Sequence, residues 1–164
     1  MAYKNKYYVS YDTDDALYYT MLQAWCENEK ISFVHCNSNN SIFTTDKSVD
    51  VIKNSLKEKI QNSKCFFILL SEHCREYSSF MKNELDLALE LEVPVVVINI
   101  NGKRSLDSDL CPTIIQDRIA LHISFNAKII QKAIEVWPEY YQKNKDKEPG
   151  ARFFKSEVYQ NLGL

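Results

Sequence analysis

Side chains able to do chemistry gather at four places in the sequence. Asp12, Asp14 and Asp15 follow the aromatic, β-branched run Tyr7–Tyr11. Ser71, Glu72, His73 and Cys74 follow the apolar run Cys65–Leu70, and Glu84, Asp86 and Glu90 lie in the next stretch. His35 and Cys36 close a short apolar segment. Aspartates grouped after a strand can accept a phosphoryl group, or they can cap the helix that follows, the commoner role for Asp12. A histidine beside a cysteine makes a nucleophilic pair only where a third group orients it, and none is evident for His73 and Cys74. His35 and Cys36, if in a strand, point to opposite faces. Asp86, two residues past Glu84, turns to the far side of a helix, so the two cannot substitute for each other in one pocket.

The elements that must hold these residues alternate. Tyr7–Tyr11 predicts a strand, and Leu17, Met21, Leu22 and Trp25 recur at helical spacing after it. Ile31–Cys36 predicts a second strand. The polar stretch Asn37–Lys47, with Ile42 and Phe43 in its middle, predicts an exposed loop with an apolar tip. Val49, Ile52, Leu56 and Ile60 mark a helix face, and Cys65–Leu70 is an unbroken apolar run suited to a strand buried on both faces. A helix over 78–92 stops before Pro94, and Val95–Ile100 repeats the fully buried pattern. Arg118–Ser124 predicts a weaker fifth strand. Ile129, Ile130, Ala133, Ile134 and Trp137 predict a last helix ending near Pro138.

Strands alternating with helices imply right-handed crossovers. The expected fold is therefore α/β: a flavodoxin-like, doubly wound parallel sheet of five strands with helices on both faces. Residues 1–138 make the domain, and 139–164 a polar linker and short tail carrying Phe153, Phe154 and Tyr159, which can meet a partner or, the commoner outcome, dock on its own domain. In such a fold, ligands bind beyond the carboxyl ends of the strands. The three glycines are Gly102, Gly150 and Gly163, none after the first strand. That excludes the dinucleotide fingerprint and the Walker-type loop, which need glycine there so that backbone can approach phosphate. A phosphoacceptor receiver domain fails too, because Ser71 and Ser124-Phe125-Asn126 stand where it needs an aspartate and a lysine.

Composition narrows the classes further. Across 164 residues, 20 basic and 22 acidic side chains leave a net charge of -2, too little to recruit nucleic acid or an anionic membrane. The Tyr18-Tyr19 and Tyr140-Tyr141 pairs are then packing and surface residues rather than a base-stacking platform. Five widely spaced cysteines contain no Cys-x-x-Cys pair, so neither a metal site nor a redox dithiol is expected. Buried reduced thiols, no signal-peptide core and no apolar run of membrane-spanning length together predict a cytoplasmic setting.

Two segments resemble the TIR domain family. Tyr7-Tyr8-Val9-Ser10-Tyr11, leading into Asp12-Thr13-Asp14-Asp15, is similar to the first TIR strand and its acidic helix start. Ser71-Glu72-His73, followed by Ser78-Ser79-Phe80-Met81-Lys82-Asn83-Glu84-Leu85, is similar to the TIR stretch in which a serine and an aromatic precede a helix carrying glutamate. Phe80 stands where many TIR domains have tryptophan. The resemblance covers roughly the first hundred residues and points to the TIR-like proteins of Thoeris anti-phage defence.

It implies an enzyme that cleaves the nicotinamide–ribose bond of NAD+, a substrate rather than a cofactor, and makes a cyclic or conjugated ADP-ribose. By resemblance this signal activates a separate effector, in response to a phage-derived trigger, and the enzyme works as a homo-oligomer. The catalytic glutamate of TIR enzymes maps onto Glu84, with Ser10, Tyr11, Asp12, Phe43, Ser71 and Phe80 as substrate-binding candidates. Cleavage develops positive charge on the ribose, which a carboxylate favours, and nicotinamide is already a cationic leaving group that needs no general acid. On its own, Glu84 reads as a solvated carboxylate favoured by the helix dipole, and only the surrounding match raises the functional reading beside it. The loop 37–47 reads either as a flap with Phe43 at its tip or as a loop packed on the core. Two other functions stay open: a noncatalytic TIR-type interaction module, and an N-ribosyl enzyme resembling nucleoside deoxyribosyltransferases.

Overall fold

The structure, a computed structural model, describes residues 6–27, 31–34, 49–76 and 79–164. The first strand, β1, runs Lys6–Ser10, and Asp12 accepts a hydrogen bond from the Asp14 N–H at 3.0 Å to cap the turn that starts helix α1, Ala16–Cys26. The expected cap is thus formed. The buried face of α1 is Tyr19, Leu22 and Cys26, whereas Leu17 and Met21, expected inside, are 69% and 37% exposed. Tyr19 decides this: its ring stacks on Tyr11 at 4.8 Å, and turning that large surface inward faces Leu17 and Met21 outward.

Strand β2 is Ser32–Val34, helix α2 Val49–Gln61, strand β3 Cys65–Leu70 and helix α3 Ser79–Glu90. Strand β4 is Val95–Asn99, helix α4 Thr113–Gln116, strand β5 Ala120–Ser124 and helix α5 Ala127–Asn144. Strand order is β2-β1-β3-β4-β5, continued by a sixth strand, β6, Ala151–Phe153, and every pairing is parallel. No residue of β3 is exposed, because helices cover the sheet on both sides. Alternate side chains divide between two cores. Tyr7, Val9, Phe67, Leu69, Val96 and Ile98 meet α1 and α5 on one face; Tyr8, Phe66, Ile68, Leu70, Val95 and Val97 meet α2, α3 and α4 on the other. Tyr8 stacks on Phe66, its register partner, at 5.4 Å, and so fixes how β1 lies on β3.

Two expectations give way near the end of the chain. Helix α5 does not stop at Pro138 but carries it inside and runs to Asn144, through residues expected to be a linker. Losing the backbone bond at proline costs about 3 kcal/mol, which the continued burial of Trp137 and Tyr141 offsets. The tail then adds the sixth strand where five were expected, and helix α6, Ser156–Asn161, returns to the first core. Tyr159 is its anchor: fully buried, with Arg104 4.2 Å above its ring and its hydroxyl accepting a 3.4 Å bond from the Ser124 N–H. Tyr159→Ala is therefore expected to cost about 3 kcal/mol, as truncating a buried aromatic does. A denaturant midpoint that does not move would show the tail to be a passive appendage.

Candidate functional site

The chain leaves β1 for β2 on one side and reaches β3 on the other, which puts the reversal of strand order, and the crevice it opens, between the carboxyl ends of β1 and β3. Glu84 belongs to this place. It sits on α3 facing β1, 3% exposed, with the hydroxyls of Tyr8 and Ser10 beside its carboxyl. Burial pushes that carboxyl up to about 8, against the smaller opposing pull of the two hydroxyls. Ser10 acts through its dipole alone, since Ser10 Oγ and Glu84 Oε2 both lack a hydrogen-bond partner among the described residues. One bare carboxyl oxygen beside a bare hydroxyl, both out of water, is a site that a polar group of a ligand would complete.

The other sequence candidates divide. Tyr11 is half-buried, and the neighbouring Glu84 carboxyl adds to burial in raising its phenol above the usual range, so the two are electrostatic neighbours. Asp12 spends its carboxylate on the helix cap. Phe80 packs at the margin of the second core. Phe43 and the loop 37–47 lie outside the described residues, as do His35 and Cys36. Asp86 is partly exposed and Glu90 exposed, in keeping with their place off the buried face of α3.

Ser71 is not turned to Glu84. Its hydroxyl donates to Asp15 Oδ2, and Asp15 Oδ1 meets His73 Nδ1 at 3.0 Å. The third group that the sequence did not reveal is therefore Asp15, brought from the start of α1 across 58 positions. Only folding joins them, and no local spacing signals it. Cys74 Sγ stands 3.9 Å from Ser71 Oγ, and burial raises its thiol, so it is no ready nucleophile. Asp15 and Ser71 are buried while the His73 side chain is 44% exposed. Hydrogen bonding to Asp15 raises the His73 imidazole above its ordinary value, with Asp14 and Asp12 adding to it. These groups line one end of a cleft of about 540 Å³ whose other wall holds Asn101, Lys103 and Asp107. Among the described residues, no group of three or more His, Cys, Asp or Glu side chains is placed to hold a metal ion. No described helix is long and apolar enough to cross a membrane.

A parallel doubly wound sheet with a buried carboxyl at its point of reversal defines an α/β domain of TIR-like type. The chain belongs to the family described as Thoeris protein ThsB, TIR-like domain, whose model matches residues 8–105. The match runs from within β1 through β4, and takes in Ser10, Asp15, Ser71, His73 and Glu84. No curated protein matches the sequence. Among solved structures, the TIR domains of the activated Roq1 resistosome recognising the pathogen effector XopQ align over 97% of this chain and 97% of theirs, at 14% identity and a TM-score of 0.47. A conserved protein from Enterococcus faecalis aligns over 98% of this chain and 99% of its own, at 12% identity and a TM-score of 0.48. A 2-desoxiribosyltransferase from Leishmania mexicana aligns over 65% of this chain and 76% of its own, at 13% identity and a TM-score of 0.45.

Proposed function

We propose that the domain consumes NAD+, breaking the bond between nicotinamide and ribose and making a cyclic or conjugated ADP-ribose that activates a separate effector protein in answer to a phage-derived trigger. The observation that carries this reading is Glu84: a carboxyl taken out of water at the reversal of strand order, with one oxygen left unpartnered beside Ser10. A burial of this kind destabilises the empty protein, and it is the arrangement that favours positive charge developing on a sugar. The empty site holds Glu84 as the neutral acid at pH 7. A nicotinamide riboside brings its own positive charge next to the carboxyl, which favours ionisation. Substrate binding would therefore prepare the carboxylate that the oxocarbenium-like state needs. The Tyr8 and Ser10 hydroxyls favour that carboxylate, and Tyr11 is its electrostatic neighbour.

The family match and this geometry support the reading together. A noncatalytic assembly module has one observation in its favour, the exposed pair Leu17 and Met21 one turn apart on α1. That surface is equally available to a second copy of an enzyme, and a homo-oligomer is part of the proposal. The test is mass spectrometry of nicotinamide and ADP-ribose species in lysates of infected and uninfected cells expressing the full chain. Accumulation of both after infection is the expected result. Protection from phage with NAD+ undiminished and no nicotinamide released would replace the enzyme with the module.

A further inference from the structure

Glu84 and Ser10 answer to one ribose, and a dinucleotide has two. Ser10 pairs in register with Ile68, so Ser71, three residues further on, stands about 10 Å beyond it along the strand direction. The diphosphate bridge of an extended dinucleotide carries its second ribose about that far from the first. At that distance lies the cleft of about 540 Å³ at the carboxyl ends of β3 and β4. Glu72 and His73 wall it on one side, Lys103, Asp107 and Asp109 on the other.

At the second ribose, two common dinucleotides differ. NAD+ carries a 2′-hydroxyl there and NADP+ a 2′-phosphate. The charges of the cleft bear on that difference. Lys103 lies 3.2 Å from Asp107, and His73 3.0 Å from Asp15, so each cation already faces a carboxylate. Asp14 and Asp12 add their negative charge around His73. Glu72 and Asp109 are exposed, and among the described residues no ion pair takes up either of them. No described residue lining the cleft is an arginine, the side chain whose planar fork suits a phosphate. Arg104, next in sequence to Lys103, lies over the Tyr159 ring at 4.2 Å instead.

We infer that the enzyme takes NAD+ and turns away NADP+, with Glu72 and Asp109 as the residues that set the choice, an inference that rests on the NAD reading above. A free carboxylate accepts a hydrogen bond from a ribose hydroxyl and repels a phosphate in the same position. Selectivity is the difference between two affinities, and here its repulsive element is built into the cleft. The diphosphate and the nicotinamide ribose are the same in both molecules, so whatever they gain or lose cancels from the comparison. Glu84 therefore cannot tell the two apart, and selection falls to the far end of the crevice.

The full chain, purified from infected cells, would be given NAD+ or NADP+, and nicotinamide release would be followed for each. NAD+ is expected to lead in kcat/KM by about 30-fold, the scale of several exposed charge pairs acting together. The lead should lie in KM rather than kcat, because the reacting ribose is untouched. Added salt should narrow it, since exposed charges are screened. Glu72→Lys combined with Asp109→Lys should raise the NADP+ to NAD+ ratio about 30-fold, and the milder Glu72→Gln with Asp109→Asn should move it the same way by about fivefold. A wild-type chain that cleaves NADP+ as well as NAD+ would overturn the inference and leave the NAD reading standing. A lead for NAD+ that both double variants keep would place the selection elsewhere and overturn the role of these two residues. No nicotinamide from either dinucleotide would instead remove the NAD reading itself, and this selectivity with it.

Discussion

Glu84→Gln is expected to lower NAD+ cleavage about 1000-fold, the upper end of what removing one preorganised electrostatic group costs. Glutamine keeps the shape and one carbonyl oxygen but loses the charge that the developing ribosyl cation would meet. In the wild type, kcat/KM should rise with pH toward about 8, since that profile follows ionisation of the free enzyme and burial holds Glu84 there. The limb in kcat should lie lower, because the bound nicotinamide riboside carries positive charge and favours the carboxylate. Both profiles can be measured by nicotinamide release at saturating and limiting NAD+. A glutamine variant with the wild-type rate would end the catalytic reading of Glu84. A wild-type kcat/KM flat from pH 6 to 9 would show that the carboxyl ionises without the substrate.

Much of this arrangement was legible in the sequence, for identifiable reasons. Cys65–Leu70 read as a doubly covered strand because six consecutive apolar residues leave no side for water, and the strand lies on those residues. Asp12 read as a cap because an aspartate after a strand has a backbone N–H two residues on to accept from. What failed depended on tertiary competition. Pro138 signals a stop from local sterics, yet Trp137, Pro138 and Tyr141 continue the buried stripe and the helix follows them. Ala151–Phe153 is too short and too polar to show strand periodicity, and becomes β6 only because β5 offers an edge. Leu17 and Met21 fit a helical pattern as well as Tyr19 does, and the Tyr11 ring chose among them. At the site, only a motif singles out Glu84 in the sequence. The place of its carboxyl beside the Tyr8 and Ser10 hydroxyls, and the meeting of Asp15 with Ser71 and His73, join distant segments in a way that no local pattern encodes.

The second large effect concerns stability, and it arises from two buried groups shifted in opposite directions. His122 lies within β5, fully buried, with neither ring nitrogen bonded among the described residues, and burial lowers its imidazole to about 4. Unfolded, it takes a proton near 6.5. As pH falls from 6.5 toward 4, the unfolded chain binds that proton and the folded one does not, so stability drops by about 1.4 kcal/mol per pH unit. Glu84 works the other way. Its folded value is about 8 and its unfolded value 4.5, so as pH rises from 4.5 toward 8 the unfolded chain alone releases the proton, and stability falls at the same rate.

Between pH 4.5 and 6.5 the two slopes cancel, and the wild type should show no dependence on pH from either group. Each single substitution then exposes the other slope. His122→Leu, close in volume and free of orphaned nitrogens, should leave a protein that weakens as the medium becomes more basic, by about 3 kcal/mol across that window. Glu84→Gln should leave one that weakens by as much on going acid, and the double variant should be flat again. Urea denaturation at several pH values reads all four. The signs are the test: if both single variants tilt the same way, one of the two groups is charged in the folded protein. A glutamate held at such a disadvantage agrees with the cationic substrate proposed for this site.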